Sequence, residues 1–200
     1  MKLAKELKVT LTTTDELLGM MPTDKELHET YIASKAPDAM KIEEEIEAVG
    51  VDEVVMKGKT VFPRTADGRP ALFDYQIRGM FKDSIGMLRR VPGTACSKVK
   101  NYKKVVDGLL FVSPRMIPIE FEGETGDCQR PLRTQSPQGE RTAIAHSETV
   151  PEGSRLTFTV QMLTADLEAV VRECLDYGAL HGLGQWRNSG KGRFEWAEAE

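Results

Sequence analysis

Apolar and polar residues alternate along two stretches of the chain, 7–13 (LKVTLTT) and 154–163 (SRLTFTVQML). Because successive side chains of a strand point to opposite faces, this alternation predicts two half-buried β-strands. Residues 115–121 (RMIPIEF) and 193–199 (RFEWAEA) are predicted to be further strands from their composition. An Asp-Gly pair between apolar runs in residues 105–112 predicts a β-hairpin there.

Two other stretches repeat their apolar residues at helical spacing. Residues 72–91 place their large apolar side chains on one face of a helix with a turn of about 100° per residue. Residues 164–181 repeat theirs three and four positions apart. A capping box at residues 23–26 (TDKE) and the apolar side of residues 37–50 predict two more helices.

The order of these elements indicates an α+β fold, with helices on one face of a mainly antiparallel sheet. A chain of 200 residues fits one domain covering residues 1–200.

Two segments do not match the regular pattern of strands and helices. Residues 15–53 are acidic and predicted helical, so we expect an insertion. Residues 122–150 are rich in Gly, Pro, Thr and Arg with little periodicity, so we expect a projecting loop or hairpin.

Charge is strongly segregated along the chain, although the net formal charge is only −4. Residues 15–53 carry twelve Asp or Glu against three Lys or Arg. Residues 57–104 carry twelve Lys or Arg against three Asp. A polarised molecule of this kind can bind a polyanion through its basic part, so the acidic overall charge does not exclude a nucleic-acid partner.

Several features predict a cytoplasmic protein without a membrane partner. No apolar run reaches the roughly 18–20 residues that a membrane span requires. The first residues, MKLAKELKVTLTTTDE, lack the apolar core of a signal peptide. The three cysteines, Cys96, Cys128 and Cys174, are far apart and form no Cys-x-x-Cys pair, which is typical of reduced thiols.

The first candidate site is a glycine loop, residues 182–193 (GLGQWRNSGKGR), between the last predicted helix and the last predicted strand. Its glycines would let backbone amides approach a ligand. Three cations and one tryptophan would add charge and a stacking face, a combination suited to a phosphodiester backbone. The loop is neither a P-loop nor a dinucleotide fingerprint, since Lys191 is followed by Gly192 and the loop follows a helix instead of a strand. No cofactor is therefore expected. The alternative to a ligand-binding loop is a flexible connection in which Gly182 ends the helix.

The second candidate site is a stripe of cations on the helix predicted over residues 72–91. Arg78, Lys82 and Arg89 fall within about 40° of one another on a face separate from the apolar one. The stripe is either a phosphate-binding surface or an ordinary solvated helix face.

Residues typical of catalytic sites are scarce, which favours a binding protein over an enzyme. His28, His146 and His181 show no metal-ligand spacing, so no metal site is expected. His28 could act as a general base in RNA cleavage. Several aspartates follow the first strand, but nothing in the pattern selects one.

Three segments resemble the RAMP (repeat-associated mysterious protein) superfamily of CRISPR systems. "LGQWRNSGKGRF" resembles its C-terminal glycine signature, in which Gly-x-Gly and an arginine lead into the last strand. "DGRPALFDYQIRGMFKDSI" (67–85) is similar to its turn-and-helix segment with Gly and Arg. "AIAHSETVPEGSRLTFTVQML" (143–163) is similar to the approach to its penultimate strand. Together they cover about a quarter of the chain, in the family's order.

The resemblance implies an RRM-like (ferredoxin-like) core with inserted loops that binds guide RNA in a CRISPR ribonucleoprotein. Backbone-forming subunits of that superfamily self-associate along the RNA beside other subunits, and a hairpin thumb displaces periodic bases, a role that residues 122–150 would take here. The implied RNA-binding residues are Arg78, Lys82, Arg89, Arg130, Arg133, Gly184, Trp186, Arg187, Gly190, Lys191, Gly192 and Arg193.

Two alternative functions remain open from the sequence. One is a metal-independent endoribonuclease of the same superfamily that processes CRISPR RNA through His28. The other is a mobile-element protein that mimics a backbone subunit and inhibits or recruits a CRISPR complex, with the acidic segment 15–53 facing protein or imitating nucleic acid.

Overall fold

The computed structural model describes residues 5–23, 59–136 and 139–199, and for residues 132–143 it describes the backbone only. The strands are β1 (Lys5–Thr13), β2 (Leu17–Leu18), β3 (Met21–Pro22), β4 (Thr60–Val61), β5 (Ala71–Phe73), β6 (Leu110–Ser113), β7 (Met116–Glu120), β8 (Gly126–Ser136), β9 (Gly139–Val150), β10 (Arg155–Met162) and β11 (Phe194–Glu198). The helices are α1 (Asp74–Leu88), α2 (Tyr102–Leu109) and α3 (Leu167–His181).

The chain forms two compact units. Unit 1 comprises Met1–Leu17, Pro63–Glu124 and Val150–Glu200, and unit 2 comprises Leu18–Phe62 and Thr125–Thr149. The assignment of residues 1–200 to one domain stays a prediction.

Unit 1 is built on an antiparallel sheet with the strand order β11-β1-β10-β6. In chain order the core elements are β1, α1, β6, β10, α3 and β11, so the first and third of the four strands lie in the centre. This is the βαββαβ arrangement of ferredoxin-like folds. β7 and β5 extend the sheet beyond β10. The predicted α+β class with its antiparallel sheet is confirmed.

The core of unit 1 lies between this sheet and the two long helices. β1 and β10 bury alternate side chains, as their period-two patterns predict. α1 buries Ile77, Phe81 and Ile85, and α3 packs against it. The Ser84 hydroxyl on α1 donates to the Cys174 carbonyl on α3 at 3.3 Å. The two helices therefore share one face of the sheet, because their apolar sides meet each other and the sheet together.

The hairpin predicted over residues 105–112 is wrong. Residues Tyr102–Leu109 form α2, and only Leu110–Ser113 is a strand. Val106 is buried and Asp107 accepts from Lys82 on α1 at 2.5 Å, so packing against α1 holds the Asp-Gly pair in helical conformation. Tertiary contacts have overridden a local turn signal here.

The connection between α1 and α2, residues 89–101, is fixed to α3. Both carboxylate oxygens of Glu173 accept backbone amides of the connection, from Ala95 at 2.7 Å and from Cys96 at 2.9 Å. The Cys96 side chain is fully buried. Partial burial raises the pKa of Glu173, but the two amide hydrogen bonds outweigh it, so the pKa of this carboxyl lies below its ordinary value.

We expect Glu173→Gln to lower the free energy of unfolding by about 1–2 kcal/mol near neutral pH, because hydrogen bonds to a charged acceptor are stronger than those to an amide oxygen. A lowered pKa in the folded state stabilises the protein above the unfolded pKa of about 4.3 and stops doing so as the pH falls through the folded value. Denaturant titrations at several pH values measure this difference. Glu195→Gln, at an exposed position on β11, is the control, and a difference that persists at the lowest pH would contradict the assignment.

Unit 2 contains a long antiparallel hairpin, β8 paired with β9 from Gly126↔Thr149 to Ser136↔Gly139. β9 also pairs with β4, in parallel at Thr60↔Ser147. The Glu148 carboxylate is buried and accepts the Phe62 amide at 2.9 Å. The segment predicted as a loop or hairpin over residues 122–150 therefore contains a two-stranded hairpin.

Most of the predicted acidic insertion, residues 15–53, lies outside the described residues. The helix predicted to start at residues 23–26, the helix predicted over residues 37–50 and His28 also lie outside the described residues, except for Thr23. Within the described part, no helix is long and apolar enough to cross a lipid bilayer.

Candidate nucleic-acid interface

The glycine loop is closed by a crossing of its own backbone. The Leu183 amide donates to the Gly192 carbonyl at 2.8 Å, which joins the two ends of the loop. The Gly192 amide donates to the carbonyl of Glu16, just after β1, at 2.9 Å. The loop therefore has a fixed shape and a fixed position at the end of the central strand.

Gly182 and Gly192 are required by this crossing. Gly182 has φ of 90°, and a Cβ there would lie 2.5 Å from the Lys191 carbonyl oxygen. Gly192 has φ of 70°, and a Cβ there would lie 1.8 Å from the Leu183 carbonyl oxygen. Both the positive φ and the close backbone contact exclude a larger residue.

Several backbone amides of the loop are used within the chain. The Gly182 amide donates to the Gly178 carbonyl and the Gly190 amide to the Arg187 carbonyl, in addition to the Gly192 bond to Glu16. The glycines thus serve the shape of the loop, and the Gly190 and Gly192 amides do not point to an anion.

Two of the three loop cations are ion-paired. Lys191 donates to Asp15 at 3.0 Å and to Glu16 at 2.9 Å, and these hydrogen bonds raise the pKa of Lys191, Glu16 contributing most. Arg187 donates to Asp83 on α1 at 2.6 Å. These pairs tie the loop to the exit of β1 and to α1, which places the predicted glycine loop and the predicted helix stripe beside each other.

Trp186 and Arg193 are two of the exposed side chains of the loop, the others being Asn188 and Ser189. Trp186 is 38% exposed and adopts φ of 54°, a left-handed conformation that is uncommon outside glycine. Arg193 is exposed, and within the described residues it forms no ion pair. An aromatic ring and a guanidinium at one loop supply the stacking and charge that a nucleic-acid strand uses.

Each cation of the predicted stripe on α1 contacts either a carboxylate or an aromatic ring. Arg78 pairs with Asp74 at 3.2 Å, and Lys82 pairs with Asp107 of α2. Arg89 lies over the Tyr102 ring at 5.7 Å from its centroid. The stripe is therefore partly neutralised by acids that lie elsewhere in the chain or one turn away.

Arg115 lies at the same end of α1 and was not predicted. It pairs with Asp74 and stacks near the rings of Phe73 and Tyr75, with its guanidinium carbon 5.5 and 5.3 Å from their centroids. The two rings stack on each other at 5.3 Å. No sequence signal joins Arg115 to Asp74, since 41 positions separate them.

The predicted arginines of the hairpin lie in β8. Arg130 is only 7% exposed, so its side chain is buried and offers little surface to an RNA strand. Arg133 lies opposite Thr142 in β9. Lys59 pairs with Asp127 at 2.7 Å near the base of the same hairpin, and this hydrogen bond lowers the pKa of Asp127.

A second group of cations lies in the connection after α1. Arg89, Arg90, Lys98, Lys100, Lys103 and Lys104 are all exposed, and we call them the basic cluster. Only Arg89 is among the predicted residues. The signal that finds the others is the complete absence of Asp and Glu from residues 89–104.

Comparison with solved structures shows a shared fold. A chain of the Type III-B Cmr-beta complex bound to cognate target RNA, determined by cryo-EM, aligns with a TM-score of 0.56 and 11% identity. The alignment covers 98% of this chain and 60% of that chain, so this protein spans 60% of the length of the Cmr-beta chain. A chain of a Type IV-B CRISPR complex aligns with a TM-score of 0.49 and 14% identity, covering 98% of this chain and 90% of that one. No protein-family model and no curated protein sequence matches.

Proposed function

We propose that this protein is an RNA-binding subunit of a CRISPR-type ribonucleoprotein, which holds the phosphate backbone of a guide RNA and self-associates along it. The observation that carries the proposal is the fold of the chain, which resembles a chain of an RNA-bound CRISPR effector complex over 98% of its length. The glycine loop and α1 lie together in unit 1, where the resemblance to the RAMP superfamily implies the RNA path.

The ion pairs of the site fall into two kinds. Arg187–Asp83 and Lys82–Asp107 are partly exposed, and pairs of this kind contribute at most about 1 kcal/mol. A phosphate can replace either carboxylate at small cost. Lys191 has two acidic partners and a side chain that is largely buried, so its role is to hold the loop in place.

Substitution of Trp186 tests RNA binding at the glycine loop most directly. Trp186→Asn removes the ring and keeps a residue that tolerates left-handed backbone. Since stacking on one aromatic ring contributes about 1–3 kcal/mol, we expect the affinity for a fluorescent single-stranded RNA of about 16 nucleotides to fall by about 5- to 100-fold. Fluorescence anisotropy measures it.

Phe111, which is exposed to a similar extent at 43% but lies on β6, provides the control as Phe111→Asn. Circular dichroism of both variants establishes that they are folded. An affinity that Trp186→Asn leaves at the wild-type value would exclude RNA binding at the loop.

Self-association along RNA predicts a simple stoichiometry. Backbone subunits bind one after another, so the number of copies per RNA should rise in proportion to RNA length. Native mass spectrometry of complexes with single-stranded RNAs of increasing length counts the copies. A single copy on every length would contradict this part of the proposal.

Two further measurements on the purified protein distinguish the alternative functions from the proposed one. Cleavage of a repeat hairpin in the presence of a chelator, and its loss in His28→Ala, would identify an endoribonuclease. A protein that is free of nucleic acid but copurifies with a CRISPR complex would be a mimic of a backbone subunit.

A further inference from the structure

The basic cluster differs from Arg187 and Lys191 of the glycine loop in forming no ion pairs with described residues; the acid near Lys98 is Glu173, whose carboxylate is held by the Ala95 and Cys96 amides. Residues 89–104 contain six Lys or Arg and no Asp or Glu. All six side chains are exposed, and within the described part of the chain none forms an ion pair. Arg187 and Lys191, by contrast, are each bound to carboxylates. The charge of the basic cluster is therefore less compensated than that of Arg187 and Lys191.

Four of the six cations of the basic cluster line a groove where the end of α1 meets the start of α2. Lys82 contacts Asp107, while Arg89 lies over Tyr102, so the two helices run antiparallel and diverge into the connection between them. The groove has a volume of about 710 Å³. Its walls include Arg89, Lys100, Lys103 and Lys104, and the Tyr102 ring lies among them.

The connection that carries most of the basic cluster is held in place by hydrogen bonds. The Thr94 hydroxyl donates to the Leu88 and Val91 carbonyls at 3.1 and 2.9 Å, which closes the turn after α1. Glu173 holds the amides of Ala95 and Cys96, as described above. Because these hydrogen bonds hold the backbone of the connection, its main chain loses little conformational entropy on binding.

We propose that this groove binds a second segment of RNA phosphate backbone, separate from the segment at the glycine loop. Arg89 has a planar guanidinium suited to bidentate phosphate contacts, and the lysines supply point charges along the wall. The core of a protein–protein interface is depleted of charged residues, whereas half of the residues that line this groove are cations and none is acidic. The chemistry therefore favours a nucleic acid over an acidic protein. The inference rests on the proposed function.

The two sites lie along the same helix. Arg187 of the glycine loop contacts Asp83, and Arg89 is six residues further along the chain from Asp83. At a rise of about 1.5 Å per residue, these positions are about 9 Å apart along the helix axis. A single strand bound at the glycine loop can thus continue to the groove, which would lengthen the stretch of RNA that one copy covers.

The test is a charge reversal of the groove lysines, Lys100→Glu with Lys103→Glu and Lys104→Glu. The control reverses three cations outside the groove, Lys8, Arg69 and Arg155, which gives the same change in net charge. Both variants are compared with wild type by anisotropy, using the single-stranded RNA probe described above over a series of KCl concentrations. Circular dichroism and thermal melting check that each variant is folded.

We expect the groove variant to bind about 25- to 100-fold more weakly at about 0.1 M KCl, because each lost phosphate contact removes about 0.7 from the salt slope. Its slope should be smaller than that of wild type by about 2. The control should stay within about threefold of wild type. A groove variant that binds like wild type, or a control that loses as much as the groove variant, would overturn the inference.

The Trp186→Asn variant separates this inference from the proposed function. Loss of binding in Trp186→Asn with no loss in the groove variant rejects the groove and retains RNA binding at the loop. Loss in the groove variant with no loss in Trp186→Asn supports the groove and rejects the loop as the RNA site. Binding of a polyglutamate probe, but no RNA, by the wild-type groove would overturn the assignment to RNA.

Discussion

Gly192→Ala is expected to destabilise unit 1 by at least about 3 kcal/mol, the range of the most damaging single substitutions. A Cβ at this position would lie 1.8 Å from the Leu183 carbonyl oxygen and 2.9 Å from its carbonyl carbon. Both are backbone atoms, so no side-chain movement relieves the overlap. The crossing of the loop would have to open, with loss of the hydrogen bonds from Leu183 to Gly192 and from Gly192 to Glu16. Thermal melting and denaturant titration measure the loss.

Gly68→Ala is the matched control for this substitution. Gly68 has φ of 83°, but a Cβ there would meet no atom within 4 Å. It isolates the cost of a left-handed non-glycine residue, about 1–2 kcal/mol. Equal losses at Gly68 and Gly192 would mean that the backbone crossing does not constrain the loop.

The second large effect is on RNA affinity as a function of salt. If the six cations of the basic cluster each neutralise one phosphate, the logarithm of the association constant falls with the logarithm of salt concentration with a slope of about −4 for single-stranded RNA. Between about 50 and about 200 mM KCl the affinity should then fall by about 300-fold. Anisotropy titrations at several KCl concentrations measure this slope.

RNA binding through uncharged contacts would give a shallower dependence of affinity on salt. A slope shallower than about −1 would mean that one phosphate at most is neutralised, and that stacking or hydrogen bonds to bases hold the RNA. The internal pairs of Arg187 and Lys82 predict that these two cations add little to the slope, since each releases a carboxylate when it binds a phosphate.

The regular part of the fold could be predicted because its signals are local. The alternating residues of β1 and β10 and the helical spacing in α1 and α3 each reflect burial of one face. The Asp-Gly pair of α2 misleads for the opposite reason. Its conformation is set by packing against α1, through the contact with Lys82, and no residue near it in sequence indicates that contact.

The loop between the last helix and the last strand lies where the sequence predicts it, while RNA binding there stays a prediction. Its contacts could not be predicted, because Gly182 and Gly192 serve a backbone crossing that only the fold creates. The acids that pair with Arg187 and Lys191 lie more than a hundred residues away in sequence. The basic cluster could have been found from the sequence, because residues 89–104 contain no Asp or Glu. The structure shows in addition that its six cations are exposed.

The RNA that copurifies with the protein tests the central claim most directly. The protein is expressed in cells that carry a CRISPR array and the other subunits of an effector complex, purified, and its nucleic acid is sequenced. We expect reads concentrated on guide RNA derived from the array, and their loss in the variant with the groove lysines reversed. Protein that carries no RNA, or RNA in proportion to its abundance in the cell, would contradict the proposal of a guide-RNA-binding subunit.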